Sequence, residues 1–311
     1  MISSALIKDL ARSVGFDLCG ITPSKHLPKN EAHFRDWLSK GYQSSLSYLE
    51  RNTEKRFDPR LLVEGSLSAI VCAVSYKNRL SMGYPSDARC KIASYALNRD
   101  YHTSIREMLR ELAAALQAQH PTLKGRMFVD TAPLAEKQLA VEAGLGWIGR
   151  QSLVVTPQYG TYILLGELII MDRVDVYDSP FEGSRCGTCR RCVDACPNHA
   201  ILFPQPMIDT HRCISCHTIE QQPTQTLKLD GWIFGCDACQ SCCPYNQRTP
   251  LHRNPRFDPV FDPLALSPEL WQQMTEEEFL ETFGDTPLTR SGLRRIQRNI
   301  TPHASNSCEE E

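Results

Sequence analysis

Four cysteines and a proline lie in one short stretch of this 311-residue chain. Cys186, Cys189, Cys192 and Cys196 are separated by two, two and three residues, and Pro197 follows immediately. Thiolates at this spacing bind a [4Fe–4S] cluster with three cysteines and contribute the fourth to a second cluster. Closely spaced cysteines could instead form a zinc knuckle or a disulfide framework. The register of four cysteines with the proline favours the cluster.

A second cluster needs further cysteines, and the chain supplies them downstream in the stretch G-C-D-A-C-Q-S-C-C-P. When Pro244 is taken as the terminal proline, the first position of the pattern falls on Ile233, which cannot bind iron. One ligand must then come from elsewhere, and Cys213 and Cys216 are the nearby candidates. The crossed pattern predicts two ligand sets. They are Cys186, Cys189, Cys192 and Cys243 for one cluster, and Cys236, Cys239, Cys196 and either Cys213 or Cys216 for the other.

The composition is that of a globular protein with a sizeable core, since 41% of the residues are hydrophobic. The fourteen cysteines would indicate disulfides in a secreted protein. The two predicted ligand sets, however, already account for eight of these cysteines. The first ten residues lack the apolar segment of a signal peptide, and no apolar run approaches the length of a membrane span. We therefore expect a cytoplasmic protein that works without a membrane. The net charge of −2 does not by itself indicate a nucleic-acid partner.

Outside the cysteine-rich stretch, the pattern mixes helices and strands and predicts an α+β or α/β domain. Residues 1–20 and 101–119 show helical periodicity, while residues 67–76 and 161–171 are apolar runs typical of buried strands. Gly166 interrupts the second run and predicts a bulge or a close ligand. The expected organisation has three parts, at residues 1–179, 180–250 and 251–311.

Asp130 is the most promising acid of the first part. It follows a short predicted strand at residues 127–129 and precedes a predicted helix at 134–143, with Pro133 in the first helical turn. A carboxylate at that junction lies on the rim of a sheet, where ligands often bind. Its apolar neighbours in sequence predict a raised pKa, which suits a general acid. A helix cap is the equally weighted alternative.

The C-terminal part carries a basic repeat. Arg290, Arg294 and Arg298 are four residues apart within a predicted helix at residues 289–300, which would place them on one face. A solvated basic face is the ordinary interpretation of such a pattern.

In combination, several stretches resemble the epoxyqueuosine reductase family. They are Y-L-E-R-N, Y-A-L-N-R-D-Y-H, V-D-T-A-P, A-G-L-G-W-I-G-R-Q-S-L, L-G-E-L, the first cysteine run, R-C-I-S-C-H-T-I-E and the second cysteine run. The resemblance implies a cobalamin-binding α/β domain, similar to reductive dehalogenases, joined to a ferredoxin-like two-cluster module and C-terminal helices. It also implies that a cobalamin enzyme with two [4Fe–4S] clusters reduces the epoxide of epoxyqueuosine in tRNA to queuosine. We expect a monomer that receives electrons from an external donor.

The resemblance also assigns roles to single residues. It makes Asp130 the proton donor and Cys213 the isolated cluster ligand, so that Cys216 and Cys242 are extra. The basic C-terminal helix becomes a candidate surface for tRNA phosphates. Asn98 departs from the family, which usually has glycine there. The expected corrin contacts are Arg51, Asp130, Gln151, Ser152, Val154, Leu165, Ser215, and Cys236 with Asp237.

Three other functions are compatible with parts of the pattern. One is a cobalamin-dependent reductive dehalogenase that acts on another substrate. Another is a dicluster electron-transfer protein, which would need neither Asp130 nor cobalamin. The third is an iron–sulfur protein that binds RNA and uses its clusters only for structure.

Overall fold

The strands and helices described below belong to a computed structural model that describes residues 1–220 and 227–300. Within these residues the strands are β1 (Leu18–Pro23), β2 (Ser68–Ser75), β3 (Lys91–Ile92), β4 (Gly125–Phe128), β5 (Trp147–Ile148), β6 (Val154–Val155), β7 (Ile163–Ile170) and β8 (Trp232–Phe234). The α-helices of the first half are α1 (Ser4–Val14), α2 (Pro28–Ser39), α3 (Thr53–Arg56), α4 (Tyr101–Gln119) and α5 (Glu136–Glu142). Those of the second half are α6 (Arg191–Asp194), α7 (Ile214–Ile219), α8 (Ala238–Ser241), α9 (Pro244–Gln247), α10 (Pro268–Gln273), α11 (Glu276–Phe283) and α12 (Leu293–Ile300).

The central element is a four-stranded antiparallel sheet with the order β1-β2-β7-β4. Every residue of β2 is buried, because an apolar run without alternation suits a strand covered on both faces. The antiparallel sheet with flanking helices confirms the α+β class. β4 is an edge strand, so the chain leaves the sheet at its rim immediately before Asp130.

Helices cover both faces of this sheet. α1 and α4 bury apolar residues, among them Ile7, Ile105 and Leu109, against one face. α5 buries Leu139 and Ala140 against the other face. The predicted helix at residues 101–119 has the same bounds in the structure. Its hydrophobic stripe at helical spacing was therefore sufficient to define it.

Two local predictions were wrong. Gly166 makes no bulge, since the ladder continues through the pair Cys72 and Gly166. A Cβ at Gly166 would lie 2.5 Å from Ile105 Cγ2, so the glycine allows α4 to pack closely on the sheet. Pro133 is not in the first turn of α5, because tight turns after β4 delay the start of that helix to Glu136.

The C-terminal helices pack on the small parallel pair formed by β3 and β8. Ile92, Phe234 and Trp271 belong to one buried cluster, although they come from the three predicted parts of the chain. The division at residues 1–179, 180–250 and 251–311 remains a proposal, and hydrophobic packing joins its parts. Residues 301–311 of the third part lie outside the described residues. In the described part, no helix is both long enough and apolar enough to cross a membrane.

The basic repeat does not form a single helix face. Arg290 belongs to a separate 3-10 helix (Pro287–Arg290), whereas α12 begins only at Leu293. Both Arg290 Nε and Nη2 bond the Glu220 carboxylate, at 2.9 and 3.1 Å. Arg295 donates to the carbonyl oxygen of Ile219. Two of the arginines in this segment therefore hold it against the end of α7.

Candidate functional site

Four cysteines lie close together near the first residues of α6 and α9. Burial, followed by the charges of Cys186, Cys243 and Cys189, raises the pKa of Cys192 to about 11. These are the four thiols of the first predicted ligand set. Trp147 Nε1 lies 3.5 Å from Cys186 Sγ and donates to it. Such N–H···S bonds tune iron–sulfur clusters.

A second group of thiols includes Cys213 at the start of α7 and Cys239 in α8. Burial, followed by the charges of Cys236, Cys213, Asp237 and Cys196, raises the pKa of Cys239 well above its ordinary value. The thiols in this list complete the second predicted set, with Cys213 in the fourth position. A thiolate that is buried with three others is strongly unfavourable unless iron neutralises the charge. The donor set therefore fits a cluster.

The arrangement also bears on the zinc alternative. Within the described residues, no three His, Cys, Asp or Glu side chains converge on a point that could hold a single metal ion. The four thiolates of an iron–sulfur cube bind four different irons, so they need not converge on one point. All thirteen cysteines in the described residues are free of disulfide bonds. The geometry is thus more typical of two clusters than of zinc knuckles or disulfides.

Asp130 lies at the centre of a tight turn after β4. Its φ of 51° is in the left-handed region, and Thr131 N donates to Val129 O at 2.5 Å across the turn. Tyr101 Oη donates to Asp130 Oδ2 at 2.6 Å. The N-cap of α5 is Ala135, so Asp130 is not a helix cap.

The predicted rise in the pKa of Asp130 was wrong. Hydrogen bonding from His102 outweighs burial and, with a bond from Tyr101 and the charges of His102 and Lys137, lowers that pKa. His102 Nε2 lies 3.5 Å from Asp130 Oδ2. The neighbours that decide the pKa come from α4, which is distant in sequence. Asp130 is therefore a carboxylate at neutral pH in this geometry.

His102 lies between two carboxylates. Its Nδ1 is 2.8 Å from Asp100 Oδ1, and its Nε2 faces Asp130. Burial lowers the pKa of His102, but the hydrogen bonds and charges of Asp100 and Asp130 prevail and raise it to about 9. Asp100 is also the N-cap of α4 and accepts a bond from the His102 amide. The cap thus fixes the imidazole, which carries a proton at neutral pH.

The loop after β5 approaches the same place. Lys137 Nζ donates to Ser152 O at 2.7 Å, and Glu136 Oε1 accepts from Asp130 N at 2.5 Å. The Asp130 side chain is 59% exposed, yet desolvation still acts on its pKa. Lys137 is also exposed, yet desolvation by the surrounding protein lowers its pKa. Both groups are therefore open to solvent and yet close enough to surrounding protein for its burial to affect their pKa values.

Gln151 provides a test of whether this site fits the expected corrin. Its side chain is only 3% exposed, and its Nε2 has no hydrogen-bond partner among the described residues. A buried amide donor without a partner is costly unless a ligand acceptor completes it, and the carboxamide rim of a corrin offers such acceptors. Ser152 adopts a φ of 59° beside it. The stretch therefore fits the cofactor.

The other expected corrin contacts are more scattered. Val154 is buried in β6 and Leu165 is half-buried in β7, where both contribute to the core on the α5 side of the sheet. Asp237 is 3% exposed and accepts from Ser94 N and Gln240 Nε2, so its carboxylate is already satisfied within the protein.

Arg51 is exposed just after the 3-10 helix Ser47–Glu50, and Ser215 is half-buried in α7. Tyr48 links these regions, because the charges of Glu220, Asp130 and Cys216 all act on its hydroxyl. Tyr48 is therefore within electrostatic reach of both Asp130 and α7.

Asn98 is almost fully buried, at 1% exposure, and neither polar atom of its amide has a partner in the described part of the chain. Its φ of −101° does not require glycine, so the departure from the family costs no backbone strain. Nothing in the structure explains the unpaired amide.

A cleft of about 260 Å³ lies beside this site and is lined by Met127, Val129 and Thr131. It contains none of the predicted site residues. The titratable groups around Asp130, not this cleft, define the candidate site.

Sequence reasoning missed the partners of Asp130. Tyr101 and His102 belong to the quoted stretch R-D-Y-H, and Glu136 belongs to the predicted helix after Asp130. Helical phase would have placed Tyr101 and His102 at the first turn of α4. Only the packing of α4 against the sheet reveals that this turn faces Asp130.

Comparisons with known proteins identify the family of this chain. The family model described as "Epoxyqueuosine reductase QueG, DUF1730" matches residues 56–131, and the model described as "4Fe-4S double cluster binding domain" matches residues 185–246. An epoxyqueuosine reductase of Cyclobacterium marinum is 40% identical over 95% of this chain and 94% of that protein. One from Pseudomonas aeruginosa is 37% identical over 97% of this chain and 84% of that protein.

Solved structures give the same result. The crystal structure of an epoxyqueuosine reductase with an epoxyqueuosine-modified tRNA-Tyr stem loop matches with a TM-score of 0.83 and 29% identity, over 94% of this chain and 78% of that one. The Bacillus subtilis enzyme, with its catalytic aspartate loop swung out of the active site, matches with a TM-score of 0.83 and 28% identity over the same shares. The chain therefore belongs to the epoxyqueuosine reductase family of oxidoreductases.

Proposed function

We propose that this chain reduces epoxyqueuosine at the wobble position of tRNA to queuosine, with electrons that pass through two [4Fe–4S] clusters to cobalamin. The observation that carries the proposal is the group formed by Asp130, Tyr101 and His102, beside a loop with an unpaired buried amide. The crystal structure of a similar enzyme with a modified tRNA stem loop supports the tRNA substrate.

The protein residues supply the proton chemistry. Removing the epoxide oxygen as water consumes two electrons and two protons and leaves an alkene. We propose Asp130 as the group that protonates the epoxide oxygen as the C–O bond breaks. Because Asp130 is ionised in this geometry, it must first take a proton, and the protonated His102 is 3.5 Å away. His102 thus recharges Asp130, and Asp100 orients the imidazole for this transfer.

The cofactors would be held by residues already described. Cys186, Cys189, Cys192 and Cys243 would bind one cluster, and Cys196, Cys213, Cys236 and Cys239 the other. The loop from Gln151 to Val154, together with Arg51, Leu165, Ser215 and Asp237, would border the corrin. Bound cobalamin would supply low-valent cobalt chemistry, and the clusters would supply its electrons singly.

The test is anaerobic incubation of the cofactor-loaded enzyme with a strong reductant and tRNA that carries epoxyqueuosine, followed by nucleoside mass spectrometry. Cobalamin-dependent loss of one oxygen mass is the expected result. If the cobalt is visibly reduced and the nucleoside is unchanged, the substrate is wrong and a dehalogenase-like reaction becomes the better hypothesis. If no cobalamin binds, a dicluster electron-transfer protein replaces both.

The role of Asp130 needs its own variant. Asp130→Asn keeps the shape and an acceptor for Tyr101 but cannot carry the proton. We expect the clusters and cobalamin to remain and turnover to fall by about 10²- to 10⁴-fold, the usual contribution of a general acid. Turnover close to that of the wild type would refute the proton-donor role.

A further inference from the structure

Glu167 is an acid in the middle of the sheet without a cation. It lies on β7 opposite Val71 of β2 and Phe128 of β4, and it is 0% exposed. Neither carboxyl oxygen has a hydrogen-bond donor among the described residues. An isolated carboxylate in such a place is prohibitively unfavourable. Glu167 must therefore carry a proton at neutral pH.

The nearest titratable neighbour of Glu167 is a second carboxyl group. Leu165 and Ile169 contribute to the core on the α5 side, so Glu167, between them on β7, faces that helix and its first residue, Glu136. Burial, followed by the charge of Glu136, raises the pKa of Glu167 well above its ordinary value. Burial, followed by the charge of Asp130, raises the pKa of Glu136 to about 7. Two carboxyl groups can bond each other only when one carries a proton.

Glu136 also holds the backbone of Asp130. Its Oε1 accepts the Asp130 amide hydrogen at 2.5 Å. That amide belongs to the residue with a φ of 51° in the tight turn, a conformation that costs free energy for any residue except glycine. A strained turn persists only when surrounding bonds hold it. The bond from Asp130 N to Glu136 is such a bond.

We propose that Glu136 and Glu167 share one proton and that this pair latches the turn that presents Asp130, which makes both glutamates positioning residues for the reaction. Protonated Glu167 donates to Glu136, and Glu136 accepts from Asp130 N. When the shared proton is lost, two adjacent carboxylates repel each other, and Glu136 can no longer hold its position under the turn. The inference rests on the proposed role of Asp130 as proton donor.

The charged surroundings of the pair are compatible with this role. No ion pair joins Glu167 to a cation in the part of the chain that the structure describes. Lys137 is engaged with Ser152 O, and His102 is engaged with Asp100 and Asp130. The titratable groups that face the pair from the surrounding elements are Asp130 of the turn, Tyr101 and His102 of α4, Arg56 of α3 and Lys137 of α5. Cys72 of β2 lies on the opposite face of the sheet from Glu167.

The direct test is hydrogen exchange of the Asp130 amide in the resting holoenzyme, expressed as a protection factor from about pH 6 to about pH 10, the range in which a shifted carboxyl pair can titrate. We expect protection in the wild type that falls at alkaline pH. In Glu167→Gln the Asp130 amide should be protected at every pH, because the glutamine side chain donates to Glu136 without a proton that titrates. Glu167→Leu should lose protection by at least about tenfold throughout. Glu142→Gln, at the other end of α5 and paired with Lys25, is the matched control.

Turnover provides a second measurement. We expect Glu167→Leu to lower kcat by about 10²-fold, the effect of misplacing a catalytic group by about 1 Å, with KM for tRNA unchanged and with rescue by Glu167→Gln. Protection that does not depend on pH in the wild type, or that persists in Glu167→Leu, overturns the latch. If Glu167→Leu does not fold, unaltered pH dependence in Glu167→Gln overturns it equally.

The variant Asp130→Asn separates this inference from the proposed function. It retains the backbone amide, so its protection should persist although turnover is lost. Full turnover in Asp130→Asn would refute the proton donor and leave the latch to be judged by exchange alone. Loss of turnover in that variant, together with an unprotected amide in the wild type, would refute only the latch.

Discussion

Replacing Asp100 with asparagine should lower the pH at which this enzyme loses activity. His102 is the proposed source of the proton that reaches Asp130, and Asp100 is one of the two carboxylates that keep it protonated. Asparagine is also a good N-cap, so α4 should still begin at Tyr101. Its side-chain oxygen can still accept from His102 Nδ1. The substitution therefore removes the charge while it keeps the bond and the helix.

The size of the effect follows from the two carboxylates. The rise in the pKa of His102 from 6.5 to about 9 corresponds to a preference of about 3 kcal/mol for the charged form. If Asp100 provides about half of this, its loss lowers the pKa by about one unit, or about 1.4 kcal/mol. A raised pKa means that the proton is present below it and lost above it. The activity should then fall through about pH 9 in the wild type and through about pH 8 in Asp100→Asn.

The assay is a single-turnover measurement with enzyme that is reduced beforehand, so that electron delivery does not limit the rate. The product is quantified by nucleoside mass spectrometry over the pH range, and tRNA binding is measured in parallel. Glu107→Gln is the control, because it removes a carboxylate of α4 that bonds Arg99 and does not touch His102. An alkaline limit that is the same in wild type and Asp100→Asn would refute His102 as the titrating group.

Two further predictions concern the clusters. Cys213→Ser should lose about half of the bound iron, because it removes one of the four ligands of the second cluster. Cys216→Ser should keep all of its iron. Equal iron contents in the two variants would contradict the assignment of Cys213 as the ligand. Trp147→Phe keeps an aromatic ring but removes the N–H that donates to Cys186 Sγ, so the midpoint potential of the first cluster should fall in an EPR-monitored redox titration, and an unchanged potential would show that this bond has no effect on it.

Part of this site can be predicted from the local sequence. The cysteine spacing predicts the crossed ligand sets because short gaps constrain how the chain can curl around a cluster. In the folded chain, Cys192 is close to Cys186, Cys189 and Cys243, as that pattern requires. The bounds of α4 were equally accessible, because its apolar residues repeat at helical spacing. Both features follow from residue spacing within short stretches of the chain, and the crossed pattern then joins two such stretches.

The chemistry of Asp130, by contrast, depends on residues that are distant from it in sequence. Its sequence neighbours Val129 and Ala132 are apolar and predict a raised pKa. The fold instead brings the first turn of α4 against the turn after β4, and His102 lowers the pKa of Asp130. The prediction that the three arginines share one helix face was wrong for a related reason. Spacing alone does not reveal where a helix begins, and Arg290 lies in a 3-10 helix before α12.

The C-terminal part contributes to the site in a way that its arginines did not suggest. Asp100 N donates to Asp285 O at 2.8 Å, and Arg99 bonds the Asp285 carboxylate at 2.9 Å. These contacts fix the residues that begin α4, and the same Asp100 orients His102 with its side chain. Because the loop that follows α11 supplies Asp285, the C-terminal helices hold the proton-carrying imidazole against Asp130. They therefore belong to the structural support of the site.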